Sequence, residues 1–241
     1  MSKYKSFVIV YFGLIVLLSS MSSLSACTYN INVSQELLSE GFHRNLTYTV
    51  TFLPPYPNIR PYNDCLIGIY QTLPPGIYAN PDELSELKRA HRLSAITRKT
   101  NIELPADQAT PTTVYITARI NGPKVETWLP LHARYHKAVD FGGYTMNQIE
   151  APSLYLRCPD ARLDQCMTLK PARFICSVGS KHMCNWKAVA FAMETLSPVQ
   201  WMVPVGDRLH YYPVAISTGL VVTFSSFYLL YTLHDYKTNY H

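Results

Sequence analysis

The feature that most constrains this chain is an uncharged, mostly apolar run at residues 214–233, close to its C-terminal end. The run contains no Asp, Glu, Lys, Arg or His. As a helix it would rise about 1.5 Å per residue, which is enough to cross a hydrocarbon core of about 30 Å. Tyr211 and Tyr212 precede the run and Tyr231 lies near its end, and tyrosine rings favour both membrane–water interfaces. The run predicts a transmembrane helix; the alternative is a buried helix in the core of a soluble protein.

The first 26 residues have the organisation of a secretory signal peptide. Lys3 and Lys5 precede an apolar stretch at residues 7–18, and small residues follow as far as Ala26. This order of a basic, an apolar and a small-residue region is typical of a cleaved signal. The apolar stretch is also short for a helix that spans a membrane.

These two segments divide the chain into four predicted parts. We expect residues 1–26 to be removed, residues 27–210 to fold in the lumen, residues 211–233 to cross the membrane, and residues 234–241 to form a cytosolic tail. Residues 24–27 also resemble the lipobox of a bacterial lipoprotein, although two anchors on one small protein would be redundant. The sequence therefore predicts a single-pass membrane protein of type I with a luminal N-terminal domain.

Alternating apolar and polar residues predict β-strands in the luminal part. In the clearest case Leu46, Tyr48, Val50 and Phe52 share one face of a strand that begins at Asn45. Further strands are predicted over residues 65–73, 113–120, 124–136 and 153–158.

The connections between these strands predict the fold class. A proline-rich turn is predicted over residues 54–61, and Asn121-Gly122-Pro123 is a short break that predicts a hairpin between its two flanking strands. Short strands separated by Pro and Gly favour an antiparallel sheet over alternating strands and helices. We therefore expect a mainly β protein: an antiparallel β-sandwich-like luminal domain with a short helix, plus one C-terminal transmembrane helix.

The short helix is predicted from its capping residues. Asn80 is a suitable N-cap, Pro81 fits the first helical position, and Asp82 and Glu83 fall in the first turn, where the helix dipole favours acids. The helix is expected to end near Arg92.

Covalent modification is predicted at two kinds of residue. Asn32 and Asn45 each begin an Asn-x-Ser/Thr sequon, which a secretory route makes available for glycosylation. The cysteine spacings match no zinc ribbon, so disulfides are the preferred interpretation in an oxidising lumen. The candidates are Cys65, Cys158, Cys166, Cys176 and Cys184. With Cys27 included, six cysteines allow fifteen pairings, and the sequence does not choose among them.

The sequence contains no recognisable catalytic or cofactor motif, so no catalytic residue, metal site or cofactor is predicted. There is no nucleophile elbow, phosphate-binding glycine loop or zinc-protease motif. On the predicted strand His132 and His136 would lie about 13 Å apart, too far to share a metal ion. The net charge of +5 is spread along the chain, so nucleic-acid binding is not expected.

One polar face of a predicted strand is a candidate surface for contact with a partner. His132, Arg134 and His136 fall on the same side of the strand predicted over residues 124–136. Such a cationic stripe suits acidic headgroups or an acidic partner surface. The alternative is a solvated outer face without a binding role.

Five strings of the sequence, in their order along the chain, together resemble the PIG-X family. The strings are Gly41-Phe-His-Arg44, Leu73-Pro-Pro-Gly-Ile-Tyr-Ala-Asn-Pro-Asp-Glu-Leu84, Leu129-Pro-Leu-His-Ala-Arg-Tyr-His136, Cys184-Asn-Trp186 and Val203-Pro-Val-Gly206. The resemblance extends from about Gln35 through the C-terminal helix, and the strings that start at Leu73 and Leu129 are the most specific. The segments between them diverge.

The resemblance implies a function without catalysis. PIG-X is the stabilising subunit of glycosylphosphatidylinositol (GPI) mannosyltransferase I in the endoplasmic reticulum membrane. It supports PIG-M, the multi-span catalytic subunit that adds the first mannose to the GPI-anchor precursor. The expected partners are therefore PIG-M and the membrane, and no family residue with a binding role is carried over.

Two other functions stay open from the residues alone. A glycosylated single-span receptor or adhesion protein would have the same topology but would reach the cell surface. A luminal transferase active by itself would need a sugar-donor site, which the sequence does not reveal.

Overall fold

A computed structural model of the protein describes residues 30–53, 62–164, 169–180 and 182–240. The predicted signal peptide, the proline-rich turn, Cys27 and Cys166 lie outside the described residues. The prediction of a mainly β protein with a short helix and a C-terminal apolar helix is confirmed. In chain order the elements are β1 (Asn30–Leu38), β2 (His43–Leu53), β3 (Leu66–Leu73), β4 (Ile77–Tyr78), α1 (Pro81–Arg89), β5 (Ala95–Thr97), β6 (Thr112–Arg119), β7 (Lys124–Ala133), β8 (Gly143–Ile149), β9 (Ser153–Arg157), β10 (Lys170–Ile175), β11 (Met183–Val189), β12 (Ala192–Met193), β13 (Val199–Val205) and α2 (Tyr211–Tyr240).

Most of the strands form two sheets that share one core. The five-stranded sheet has the order β12-β1-β2-β7-β4, and the six-stranded sheet has the order β10-β11-β9-β3-β6-β5. β8 and β13 form a separate two-stranded ribbon. The neighbouring strands are antiparallel as predicted, except that β12 pairs with β1 in parallel.

The predicted hairpin between β6 and β7 is wrong. β6 pairs with β3 and β5, whereas β7 pairs with β2 and β4, so the chain passes from one sheet to the other between them. At this crossing the amide of Ile120 donates to the carbonyl of Cys65, and the amide of Phe52 donates to the carbonyl of Pro123. The backbone groups that a hairpin would use are therefore bonded to different strands.

Side-chain alternation along β2 and β7 builds the interior of the sandwich. Leu46, Tyr48, Val50 and Phe52 are all at most 2 % exposed, as their alternation predicted. From β7, Leu129 and Leu131 enter the same cluster, together with Ile67 and Ile69 from the other sheet. Each such side chain contributes about 1.5–3 kcal/mol when it leaves water.

A buried polar network joins the two sheets inside this core. The side-chain oxygen of Gln71 accepts hydrogen bonds from the Tyr48 hydroxyl at 2.9 Å and from the Gln35 amide at 3.1 Å. The Gln71 amide nitrogen donates to the carbonyl oxygens of Thr72 and Glu150. Because Gln71 lies on β3 whereas the other two side chains lie on β1 and β2, the network fixes one sheet against the other. Burial raises the pKa of the Tyr48 hydroxyl well above its usual value of 10.0.

A smaller aromatic cluster is centred on Phe174, which packs edge to face on Trp186 at 5.1 Å between ring centroids. Tyr115 and Tyr155 also contact Phe174. A Cβ at Gly68 would come within 2.8 Å of this ring, so the close approach requires glycine. Cys184 packs against the cluster, so the disulfide that it forms lies beside Trp186.

Two disulfides occur within the described residues. Cys65 and Cys158 join the adjacent ends of β3 and β9, and Cys176 and Cys184 close the connection between β10 and β11. Four of the predicted candidates are therefore paired.

Helix α1 begins as its capping residues predict. The Asn80 side chain accepts a hydrogen bond from the Asp82 amide at 3.0 Å, and Pro81 occupies the first helical position. Leu84 is buried against the body, while most of the charged side chains of the helix face solvent. The helix ends at Arg89, slightly earlier than expected.

Candidate functional site

Helix α2 is exposed along its apolar part. It is long and apolar enough to cross a membrane, and none of its most apolar stretch is buried against the rest of the protein. The alternative of a buried core helix is therefore excluded for this structure. The helix continues to Tyr240, so the predicted tail at residues 234–241 is helical as far as that residue.

Four hydroxyl groups in the apolar part of α2 donate hydrogen bonds within the helix. Ser217, Thr223, Ser226 and Thr232 each donate to the backbone carbonyl four residues earlier, at 2.7–2.9 Å. In a hydrocarbon environment an unpaired hydroxyl would be costly, so these bonds suit a lipid-facing helix.

The connection between the folded body and α2 is fixed by Asp207. One carboxylate oxygen of Asp207 accepts from the Leu209 amide at 2.9 Å and from the Phe141 amide at 3.1 Å. The backbone of Asp207 also pairs with Val139, and the Val139 amide donates to the carbonyl of Gly206 at 3.0 Å. The segment that enters the helix is therefore tied to the loop before β8.

Apolar side chains are exposed close to this connection. On the ribbon, Met146 of β8 and Met202 of β13 are cross-strand partners, and both are about half exposed. Tyr144 lies two residues from Met146 and so on the same face. Phe141 and Leu209 are 84 % and 61 % exposed. We call these five residues the junction surface.

A second candidate region is a polar cluster on the outer face of the five-stranded sheet. His43 of β2 and His132 of β7 are cross-strand partners, and their rings stack with centroids 4.3 Å apart. Glu83, in the first turn of α1, contacts both rings. One carboxylate oxygen lies 2.8 Å from His132 Nε2, and the other lies 3.4 Å from His43 Nε2. We call this group the His–Glu cluster.

This cluster was not predicted from the sequence, because only the spacing between His132 and His136 was considered as a possible metal site. The structural partner of His132 comes from a different strand, and Glu83 lies 49 residues away. The sequence does hold a signal for the cluster. The family strings that begin at Gly41, Leu73 and Leu129 each contain one of its three residues.

The predicted cationic stripe does not form, because β7 ends at Ala133 and Arg134 turns inward. Arg134 is only 4 % exposed, and its guanidinium donates to the carbonyl oxygens of Leu104 at 2.7 Å and Ile102 at 3.3 Å. The guanidinium also lies 4.5 Å from the centroid of the Tyr78 ring. Burial lowers the pKa of Arg134 from its usual value. The two hydrogen bonds from Arg134 hold the loop before β6 in place.

His136 belongs to a different environment from His132. Its Nε2 lies 3.2 Å from the side-chain nitrogen of Asn147, and burial lowers its pKa from the usual value. A Cβ at Gly76 would lie 2.0 Å from the Asn147 oxygen, which explains the glycine in the string that begins at Leu73. A partner contact through His132, Arg134 or His136 stays a prediction.

Both sequons lie on β-strands of the five-stranded sheet. Asn32 and Asn45 alternate with buried residues, so both side chains point to the outer face, where they are half-buried. The Asn32 side chain donates to Glu194 at 2.8 Å. Glycosylation of either residue stays a prediction.

The chain is similar in sequence to a known protein family over most of its length. The family model described as PIG-X / PBN1 matches residues 39–234, which include nearly all of the sandwich and most of α2. Three curated relatives carry the name "GPI alpha-1,4-mannosyltransferase I, stabilizing subunit". The mouse protein is 27 % identical over 224 residues, which cover 90 % of this chain and 87 % of that protein. The rat protein is 28 % identical over 212 residues (86 % and 82 %), and the human protein is 26 % identical over 223 residues (90 % and 85 %).

Proposed function

The chain belongs to the PIG-X / PBN1 family, and on this premise we propose that it is the non-catalytic, stabilising subunit of GPI mannosyltransferase I. The family match confirms the resemblance that the five sequence strings indicated. The observation that carries the proposal is the extent of the similarity, because relatives named as this subunit match across the sandwich and the apolar helix. The proposed partner is PIG-M, the catalytic subunit that adds the first mannose to the GPI-anchor precursor.

Two surfaces support a role in holding a membrane partner. Helix α2 presents apolar side chains that the body leaves uncovered, and Gly219 has no neighbouring atom within 4 Å of where its Cβ would be. A small residue at this position allows another helix to approach closely. Next to the helix, the junction surface exposes methionine and aromatic side chains, which are common in protein interfaces. A partner in the same membrane would reach both surfaces together.

The proposed location is the endoplasmic reticulum membrane, with the sandwich in the lumen. The two disulfides support an oxidising compartment, because cytosolic thiols are kept reduced. The predicted signal peptide and the sequons at Asn32 and Asn45 agree with this orientation. The proposed topology is single-pass type I.

Depletion and rescue test the proposal directly. Cells that lack this protein are expected to lose most of the PIG-M protein and of their surface GPI-anchored proteins. Re-expression of the full chain should restore both, as measured by immunoblot and flow cytometry. A chain in which α2 is replaced by an unrelated spanning helix separates the contribution of the helix from that of the sandwich.

The control is a catalytically inactive PIG-M, which should stay at its normal level in cells that contain this protein. Unchanged levels of PIG-M and of surface GPI-anchored proteins after depletion would contradict the proposal. Localisation at the plasma membrane would favour the receptor or adhesion alternative.

A further inference from the structure

We propose that the His–Glu cluster is a binding site for a divalent first-row transition-metal ion, for which Zn²⁺ serves as the test ion. Among the described residues, His43, Glu83 and His132 form the one group of three potential metal ligands found close together. One ligand atom from each residue lies within 4.8 Å of the other two. The site goes beyond the proposed function, which requires no metal.

The distances are close to those that an ion requires. Zn²⁺ binds nitrogen and oxygen ligands at about 2.0–2.1 Å, so tetrahedral ligand atoms lie about 3.3 Å apart. His132 Nε2 lies 2.8 Å from one carboxylate oxygen of Glu83, and His43 Nε2 lies 3.4 Å from the other. The two imidazole planes are 7° apart, so the rings must tilt out of their stacked arrangement before both nitrogens and one carboxylate oxygen point at a common ion.

The ligands are held in place before any ion binds. His43 and His132 lie opposite each other on adjacent strands, so the sheet sets the distance between them. Tyr78 stacks on the other side of the His132 ring, with centroids 5.2 Å apart. Glu83 is fixed by the capped first turn of α1, where Asn80 accepts from the backbone. Rigid elements of this kind lower the entropic cost of binding.

The chemistry of the ligands selects the class of ion. Imidazole nitrogen suits zinc, copper, iron and nickel, whereas calcium and magnesium prefer sites made only of oxygen ligands. The side chain of His43 is 55 % exposed and that of Glu83 is 28 % exposed, so water has access as a further ligand. A bound ion would join α1 to β2 and β7 by coordination bonds, in addition to the carboxylate–imidazole contacts and ring stacking already present.

The test uses the full chain in detergent micelles, purified with a tag that contains no histidine. The protein is stripped with EDTA, and it is then dialysed against ZnCl₂ at a fixed free concentration. Elemental analysis should find about one Zn²⁺ per chain, and the melting temperature should rise because the ion binds the folded state. Co²⁺ in place of Zn²⁺ should give visible absorption bands from a low-symmetry nitrogen and oxygen site.

Two variants identify the residues that bind the ion. His43→Gln removes one exposed ligand and should weaken Zn²⁺ binding by more than about 100-fold, since loss of even an indirect partner of a metal ligand costs 10–100-fold. The matched control is His91→Asn, which replaces an exposed histidine at the end of α1, outside the cluster. Its left-handed backbone, with φ of 54°, is tolerated by Asn. This control should bind Zn²⁺ and Co²⁺ like the unmodified protein.

The possible outcomes separate the proposal from a cluster held only by hydrogen bonds. A metal content near zero and an unchanged melting temperature in the unmodified protein would overturn the proposal. Equal binding by the unmodified protein and by His43→Gln would also overturn it, because the ion would then lie elsewhere. Glu83→Gln keeps the size of the side chain and provides a second measurement, with weaker Zn²⁺ binding expected.

Discussion

Gln71 is a polar residue at the centre of an apolar core, and its four hydrogen bonds explain why it is there. We expect Gln71→Leu to lower the free energy of unfolding by about 3 kcal/mol, because the Tyr48 hydroxyl and the Gln35 amide would stay buried without their acceptor. Urea unfolding followed by tryptophan fluorescence measures this change. Gln148→Leu is the control at an exposed site and should change stability by less than about 0.5 kcal/mol.

The raised pKa of Tyr48 makes the stability of the fold depend on alkaline pH. The unfolded chain loses the phenolic proton near the usual pKa of 10.0, whereas the folded chain keeps it. Stability is therefore unaffected below pH 10 and is lost as the pH rises from there toward the folded pKa, by about 1.4 kcal/mol per pH unit. Tyr48→Phe should remove this component from the pH dependence of urea unfolding. Tyr144→Phe, at an exposed position, should keep the slope of the unmodified protein.

At the scale of single residues, the sequence predicts burial better than it predicts partners. Alternation identified Leu46 and Phe52 as core residues, because a strand with one buried face repeats every two positions. The inward turn of Arg134 and the pairing of His43 with His132 depend on where β7 ends and on which strand lies beside it. Neither fact is contained in the local pattern.

Among the elements, the two disulfides connect segments of very different length. Cys65 and Cys158 are separated by 93 residues, whereas Cys176 and Cys184 are separated by 8. Loop-closure entropy then predicts a loss of about 4–5 kcal/mol for the double substitution of the first pair by Ala, and about 2–3 kcal/mol for the second pair. Urea unfolding of the two double variants checks the order. Equal losses would show that native contacts, and not loop length, decide the effect.

The elements also show why the predicted hairpin was wrong. A short Asn-Gly-Pro connection is compatible with a hairpin and with a crossing between two packed sheets. The choice depends on long-range pairing, since β6 lies next to β3 and β7 lies next to β2. Helix α1, by contrast, was predictable because its start depends on the neighbouring residues Asn80 and Pro81.

For the molecule as a whole, the connection at Asp207 sets how the sandwich is held relative to the apolar helix α2. Asp207→Ala should increase hydrogen exchange at the amides of Phe141 and Leu209, because both lose their acceptor. The sandwich core should keep its exchange protection, since both amides that donate to this carboxylate belong to the connection and to the loop before β8. Mass spectrometry of the exchanged protein in micelles measures both. Asp207→Asn keeps an acceptor oxygen and should behave like the unmodified protein; equal exchange in all three would contradict the role of Asp207.

The outward direction of Asn32 and Asn45 has a consequence for assembly. An oligosaccharide on either residue would be mobile and hydrated, and it would cover the outer face of β1 and β2. A large protein could not lie flat against that side, whereas an ion could still diffuse to it. A protein partner would then have to approach at the end of the sandwich next to α2, where Phe141 and Leu209 are exposed.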